Sequence, residues 1–349
     1  MTDLVGKNIG VAMSGGVDST VTAAVLQQQG YVVRGFYMDL GLPGMEKQVI
    51  RVKEIAAQLG VEIEIIDLAQ PFFEVVLHYF RNTYFSGRTP NPCVRCNPQI
   101  KFGRLLAEIQ KREFPVMATG HYVRNVWNGS FWQLEKGIDR KKDQSYFLCR
   151  LGQEQLSHVT FPLGELSKAR VYEMAAEQGF CDFSGKESQD ICFMQGMSIR
   201  DYFSSEGIES NTPADGEIVT VSGDVVGRHQ GICGYTVGQR RGLGVPDKTP
   251  YYVVGLDADR KQVIVGKEAD LWSDRLFIQD ISWVSDKPPE LPHVYTVKIR
   301  YRHDGAPAEV TMTEEGVKVV FDSPQRAITP GQFAVLYDGN VVIGGGAIR

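Results

Sequence analysis

The stretch Gly10-Val11-Ala12-Met13-Ser14-Gly15-Gly16-Val17-Asp18-Ser19 constrains this chain more than any other. Ile9, Val11 and Met13 alternate as in a strand, Ser14-Gly15-Gly16 breaks the alternation, and residues 21–29 read as a helix that Gly30 stops. A strand that passes through a glycine turn into a helix start builds an anion site. Paired glycines let the backbone run close to a phosphate, and the first helical N–H groups face it with the positive end of the helix dipole. No Gly-Lys-Ser/Thr follows, which excludes a Walker A loop, and the Gly-x-Gly-x-x-Gly of a dinucleotide fold is absent. Ser14 and Ser19 instead offer hydroxyls to phosphate oxygens, and Asp18 offers a carboxylate that could hold Mg²⁺ against them.

The pattern continues with strands at 31–39 and 61–67, a helix at about 46–59, helices at 72–84 and 102–112, and a short strand at 116–119 before Gly120-His121. Strands alternating with helices predict a doubly wound parallel sheet whose ligand sits beyond the carboxyl ends of the strands. Ser14-Gly15-Gly16, Met38-Asp39, Asp67 and Gly120-His121 should therefore converge on one nucleotide pocket. Met38 would give the adenine an apolar surface, unless it is a plain core methionine, and Gly120 would admit the nucleotide closely.

Residues 87–98 hold three prolines, two asparagines, and Cys93 and Cys96, and predict a stiff loop without regular structure. A Cys-x-x-Cys on such a loop suits sulfur or metal chemistry. Zinc would want a second pair at matching spacing, which is missing, and a thioredoxin-like site would want the motif at a helix start. The six cysteines of this 349-residue chain (93, 96, 149, 181, 192 and 233) are too few for a disulfide scaffold and are expected reduced. No apolar run approaches a membrane span and no signal-peptide core precedes the first strand, so a cytoplasmic location without membrane contact is expected. A net charge of −5 excludes nonspecific coating of nucleic acid but not a local RNA contact. Arg140-Lys141-Lys142 with its polar and aromatic sequel could make one, or could be a solvated face. Cys192, between Ile191 and Phe193, reads by itself as a buried structural thiol.

Past Tyr202 helical periodicity gives way to short β-branched runs and glycine turns. The expected organisation is an α/β nucleotide-binding domain over 1–205, a small β-rich module over 206–271, and a β-barrel over 272–349 that grips something large.

The first string resembles the Ser-Gly-Gly-x-Asp-Ser signature of pyrophosphatase-loop enzymes, which activate a substrate oxygen as an adenylate. Together with Thr119-Gly120-His121-Tyr122, Lys142-Asp143-Gln144-Ser145-Tyr146-Phe147-Leu148, Glu187-Ser188-Gln189-Asp190-Ile191-Cys192-Phe193 and Tyr235-Thr236-Val237-Gly238-Gln239-Arg240-Arg241-Gly242-Leu243, it makes the chain resemble the bacterial tRNA-specific 2-thiouridylases over nearly its whole length. That resemblance implies ATP on Ala12, Met13, Ser14, Gly15, Gly16, Val17, Asp18, Ser19, Met38 and Gly120. It implies Cys96 as nucleophile and Cys192 as persulfide carrier, with a disulfide to be reduced after each cycle. The target base would meet Asn91, Pro92 and Cys93; tRNA would meet His121, Lys142, Asp143, Gln144, Arg300, Tyr301 and Gln332. The implied partners are a tRNA with a wobble uridine and a sulfur-donor protein or sulfide source.

Many members of that family carry Asp where this chain has Cys93. A third thiol opens a second route, in which Cys93, Cys96 and Cys192 hold a [4Fe–4S] cluster whose fourth iron delivers hydrosulfide. The sequence inclines to the cluster, because three thiols without metal or disulfide invite oxidation. The rival enzyme class is the amine-transferring synthetases that share the loop, such as the tRNA-lysidine, GMP and argininosuccinate types, which need no paired thiols; an RNA-binding adaptor with a relic nucleotide fold is the non-enzymatic rival.

Overall fold

The computed structural model describes residues 7–180, 191–206 and 215–349. Glu187-Ser188-Gln189-Asp190 of the cysteine-bearing string and Cys181 lie outside them.

Strands β1 (Asn8–Ala12), β2 (Val32–Asp39), β3 (Glu62–Asp67), β4 (Val116–Ala118), β5 (Val123–Trp127), β6 (Trp132–Lys136) and β7 (Val159–Thr160) occupy the first half of the chain. Five of them form a sheet in the order β3-β2-β1-β4-β7, with every pairing parallel. Both faces are covered: Phe36 of β2 enters one core and its neighbour Tyr37 the other, which is why the strand reads as a continuous apolar run rather than an alternating one. Chain order reverses between β1 and β4, so a crevice opens at their carboxyl ends. The first helix spans Val17–Gln28 and starts directly behind Gly16, earlier than residue 21. Its polar start is buried because Ser19 Oγ and Thr20 Oγ1 each donate to the Gly16 carbonyl at 3.0 Å. Thr22 Oγ1 likewise donates to the Asp18 carbonyl at 2.7 Å.

The expected loop over 87–98 is instead half helix. Asn91 is an N-cap whose side chain accepts from the Val94 N–H at 3.4 Å, and Pro92 occupies the first turn, where its missing N–H costs nothing. The helix runs through Pro92–Cys96, widens to π geometry over Asn97–Leu105, where Pro98 deletes a helical hydrogen bond, and closes as Leu106–Gln110. Asn91 and Pro92, which suggested an irregular path, are a helix-start signature.

The central module contains β8 (Gly216–Thr220), β9 (Val225–His229), β10 (Tyr252–Asp257) and β11 (Gln262–Gly266) in the order β10-β11-β8-β9. The last part holds β12 (Trp272–Trp283), β13 (His293–Lys298), β14 (Ala306–Thr313), β15 (Gly316–Arg326), β16 (Phe333–Asp338) and β17 (Val341–Ile348). β12 pairs with both β15 and β17, which closes the barrel. The β5–β6 hairpin, unseen in the sequence, leaves the parallel sheet and pairs with β17, stitching the first domain into the barrel sheet. No described helix is long and apolar enough to cross a membrane.

Candidate active site

The glycine turn after β1 takes the form its sequence requires. Gly15 has φ +77°, a conformation that would strain an L side chain, and the Ser14 N–H donates to Ser19 Oγ at 3.2 Å, folding the turn over the helix start. Ala12, Met13, Ser14, Gly15, Gly16, Val17, Asp18 and Ser19 thus form one strand-turn-helix corner, its Met13 buried beneath the sheet end. Gly120, at the carboxyl end of β4, faces that corner. A Cβ there would stand 2.9 Å from the carbonyl carbon and Cβ of Asp18, so the protein's own helix start already demands glycine at this position. Met38 is half-buried near the end of β2 and packs on the core. Asp39 and Asp67 use their carboxylates to accept the backbone N–H of Gly41 and Ala69, both at 2.9 Å, and so cap turns.

Asp18 is not placed as an open metal ligand. Lys168 Nζ donates to both its oxygens, at 2.7 and 2.8 Å, and Tyr122 Oη donates to Oδ1 at 2.7 Å. Its carboxylate is thus engaged by the protein's own donors, and Lys168 brings a positive charge to the loop. Lys168 is itself buried, between the rings of Tyr122 and Tyr172, at the first turn of the helix Lys168–Glu177 capped by Ser167. Nothing in its spacing marks it in the sequence.

Two further sequence candidates hold this arrangement. Gln144 Oε1 accepts the Tyr122 N–H at 3.0 Å. Asp143 is buried and accepts from the Gly137 and Ser145 N–H groups and from Ser145 Oγ, so the expected RNA contact by its carboxylate does not fit this placement. Asp139 in turn accepts the N–H groups of Lys168 and Lys141, tying the basic run to the lysine beside the loop. Arg140 and Lys141 are exposed and Lys142 is half-buried.

The thiols lie on the other side of His121. His121 Nδ1 is 2.8 Å from Thr119 Oγ1 and Nε2 is 3.5 Å from Lys101 Nζ; since an ammonium can only donate, Nε2 accepts and Nδ1 carries the proton. Burial, reinforced by Lys101, holds its pKa well below the usual imidazole range. Lys101 also acts on Cys96, Cys93 and Cys192, favouring each thiolate, and Cys192 raises both of its neighbours. Burial wins: Cys93 is pushed up to about 11 and Cys96 to about 12, and Cys192 is raised as well although its residue reaches the surface. An exposed Cys192 is not the buried structural thiol that its flanks suggest. Phe193 is what anchors it, packing on Phe72, Phe80 and Tyr202 at 6.0, 4.9 and 5.4 Å between ring centroids. The three thiols thus share one ammonium. Yet among the described residues no three His, Cys, Asp or Glu side chains stand where they could hold a metal ion. The expected [4Fe–4S] ligand set does not fit this arrangement, in which two thiols ride a helix and the third a separate aromatic anchor.

Gln332 Nε2 donates to the Thr89 and Pro90 carbonyls, both at 3.1 Å, clamping the chain that leads into Asn91 and Pro92. Tyr301 stacks on Phe147 at 4.5 Å, and Arg300 Nη1 donates to the Arg326 carbonyl at 3.2 Å.

Because burial holds Cys96 as the thiol and Lys101 favours its thiolate, the rate of Cys96 alkylation by iodoacetamide should climb about tenfold per pH unit from 7 to 9 without a plateau. Lys101→Met should raise the thiol further and lower that line throughout. A pH-independent rate above neutrality would show that the thiolate is already formed.

Family models match the chain over residues 7–196 (tRNA methyl transferase HUP domain), 208–267 (tRNA methyl transferase PRC-barrel domain) and 273–348 (Aminomethyltransferase beta-barrel domain). Among its relatives, the tRNA-specific 2-thiouridylase MnmA of Desulfotalea psychrophila is 47% identical over 345 residues, covering 98% of this chain and 99% of the relative. The proteins of the same name from Syntrophotalea carbinolica and Koribacter versatilis are 45% and 41% identical, each covering 98% of this chain and 98% and 99% of their own. With that identity sustained across nearly the full length of both partners, the chain belongs to the tRNA-specific 2-thiouridylase family of sulfurtransferases.

Proposed function

We propose that the protein replaces O2 of the wobble uridine of tRNA by sulfur at the expense of ATP. One observation carries the reading. A continuous chain of contacts, Asp18 to Gly120 to His121 to Lys101, joins an anion-binding corner to a cluster of three thiols, and each half supplies what the other half-reaction lacks.

A uracil carbonyl has no leaving group, so its oxygen must become one. ATP, brought as its Mg²⁺ complex, lies with its phosphates on the Ser14–Ser19 corner and Lys168. Uridine O2 attacks the α-phosphorus and pyrophosphate departs. The terminal sulfur of a persulfide on Cys192 then attacks C2, and AMP leaves with the former O2. Cys96 thiolate attacks the Cys192 sulfur, breaking the bond to the transferred atom and leaving a Cys96–Cys192 disulfide that a thiol reductant reopens. Neutral His121 and Lys101 border the thiols, where Lys101 favours thiolate over thiol. The sulfur reaches Cys192 as the outer sulfur of a donor protein's persulfide, or as hydrosulfide that opens the Cys96–Cys192 disulfide of the previous cycle, the disulfide being the two-electron oxidant and Cys96 leaving as thiolate; a cytoplasmic location follows from the substrate. The amine-transferring synthetases would leave this thiol cluster without a task.

The test is mass analysis of nucleosides from tRNA incubated with the protein, ATP, Mg²⁺ and a persulfide donor. A 2-thiouridine derivative at the wobble position is the expected product; unmodified tRNA with continuing pyrophosphate release would overturn the reading. Charge reversal at Arg140, Lys141 and Lys142 should flatten the salt dependence of tRNA binding by about one log–log unit for each phosphate no longer neutralised. ATP affinity should stay unchanged. A constant slope would make the run a solvated face.

A further inference from the structure

The helix that carries Cys93 and Cys96 has a second face. Arg95 and Gln99, set off from the two cysteines around the helix, line a cleft of about 680 Å³ closed by Tyr79 and Thr83 of the preceding helix and by Gln279 and Ala347 of the barrel. That volume is of ligand size. None of the residues placed on the sulfur path opens into it.

Three features select its occupant. Arg88, on the cleft wall, is half-buried, and its guanidinium makes no hydrogen bond or ion pair among the described residues. A guanidinium in that state suits a phosphate, which it can grip through two parallel N–H bonds. Around it stand groups that read a base rather than a bare anion: amides on Asn82, Gln99 and Gln279, the carboxylate of Glu74, and the ring of His78, which packs edge-on against Phe73 at 4.8 Å. Finally, the wall and the start of the cysteine helix are one piece. Arg88 leads through Thr89 and Pro90 to Asn91, and the Thr89 N–H donates to the Pro330 carbonyl at 2.9 Å. Gly331 packs so tightly on this segment that a Cβ would stand 2.8 Å from the Thr89 carbonyl oxygen.

We propose that the cleft receives the ribonucleotide adjacent to the target uridine in the substrate RNA, with its phosphate on Arg88 and its base against His78 and Gln279. The RNA backbone then straddles the N-terminus of the cysteine helix, the target base falling on the thiol face and its neighbour on the Arg95 face. This rests on the thiolation reading and adds a second base pocket to it, so that an unstacked loop with two splayed bases is admitted and a continuous duplex is refused.

The experiment uses the full-length protein and an anticodon stem-loop RNA, intact or with an abasic residue on either side of the target uridine. Arg88→Ala should raise KM for the intact RNA about tenfold and lower the log–log salt slope by about one. Its KM for ATP, unchanged, reports an intact fold. Arg88→Lys should restore the salt slope. His78→Ala should raise KM for intact RNA but not for the RNA abasic at the neighbour that the cleft holds, because the base it meets is already gone. Wild-type RNA KM and slope in Arg88→Ala, or an equal His78→Ala penalty on intact and both abasic RNAs, would overturn the cleft while thiolation stands. Failure of the wild-type protein to thiolate any of these RNAs would overturn the underlying reading instead.

Discussion

Cys96→Ser should abolish thiolation, by roughly 10³-fold or more, while tRNA-dependent release of pyrophosphate continues. Serine keeps the shape of the side chain but cannot break a persulfide bond, and adenylation draws on the glycine corner rather than on the thiols. Cys192→Ser should be equally inactive in thiolation and should also fail to gain the mass of one sulfur atom from a persulfide donor. Cys93 discriminates between the two routes. If Cys96 and Cys192 form the exchanging pair, Cys93→Ser keeps activity within a few-fold of wild type, since its thiol is only a buried neighbour with a pKa pushed up to about 11. If a [4Fe–4S] cluster delivers the sulfur, all three substitutions are equally inactivating and lose iron together. The placement of the thiols, none of which joins a metal-holding group among the described residues, favours the first outcome. Anaerobic purification with iron and sulfide analysis beside the three activity measurements decides it: an iron-loaded wild type with an inactive Cys93→Ser would reverse the mechanism given above.

The sequence carried the large-scale architecture because architecture rests on local, periodic signals. The alternation in β1, the glycine stops after the first two helices, and the turn-punctuated strands past Tyr202 each need only their own neighbourhood to be read. What it hid depends on partners far away in the chain. Lys168 becomes part of the site only because it reaches Asp18, 150 residues earlier. Gln332 reaches 242 residues back to Pro90. The β5–β6 hairpin could not be placed without β17. Residues 87–98 differ in kind, since their signal is local and legible: Asn91-Pro92 is an N-cap followed by a first-turn proline, and weighing the prolines only as helix breakers conceals that. The difference alters the chemistry, because the Cys-x-x-Cys does stand at a helix start, the position a thioredoxin-like motif would want. Burial there still outweighs what a helix N-terminus gives a thiolate.

Lys168→Ala should lower tRNA-dependent pyrophosphate release by about 10²- to 10³-fold, the usual cost of removing one preorganised charge at a site of developing negative charge. The reason starts from burial. An ammonium placed among Tyr122, Tyr172 and the helix start is retained only with a carboxylate beside it, and Asp18 supplies both oxygens. If the Lys168 ammonium stabilises phosphates arriving on the corner while Asp18 keeps it in place, Asp18 is a positioning residue for Lys168. This makes Asp18→Asn informative. If Asp18 served as a metal ligand, its loss would raise the Mg²⁺ concentration needed for half-maximal activity, and excess Mg²⁺ would restore part of the rate. If it positions Lys168, Asp18→Asn loses activity with no shift in Mg²⁺ dependence, and combining it with Lys168→Ala costs little more than either change alone, because both remove the same arrangement. Tyr122→Phe, which deletes one hydrogen bond to Asp18 and keeps the ring beneath the ammonium, should cost only a few-fold. Multiplicative losses in the double variant, with a displaced Mg²⁺ optimum in Asp18→Asn, would return Asp18 to the metal and leave Lys168 an independent role.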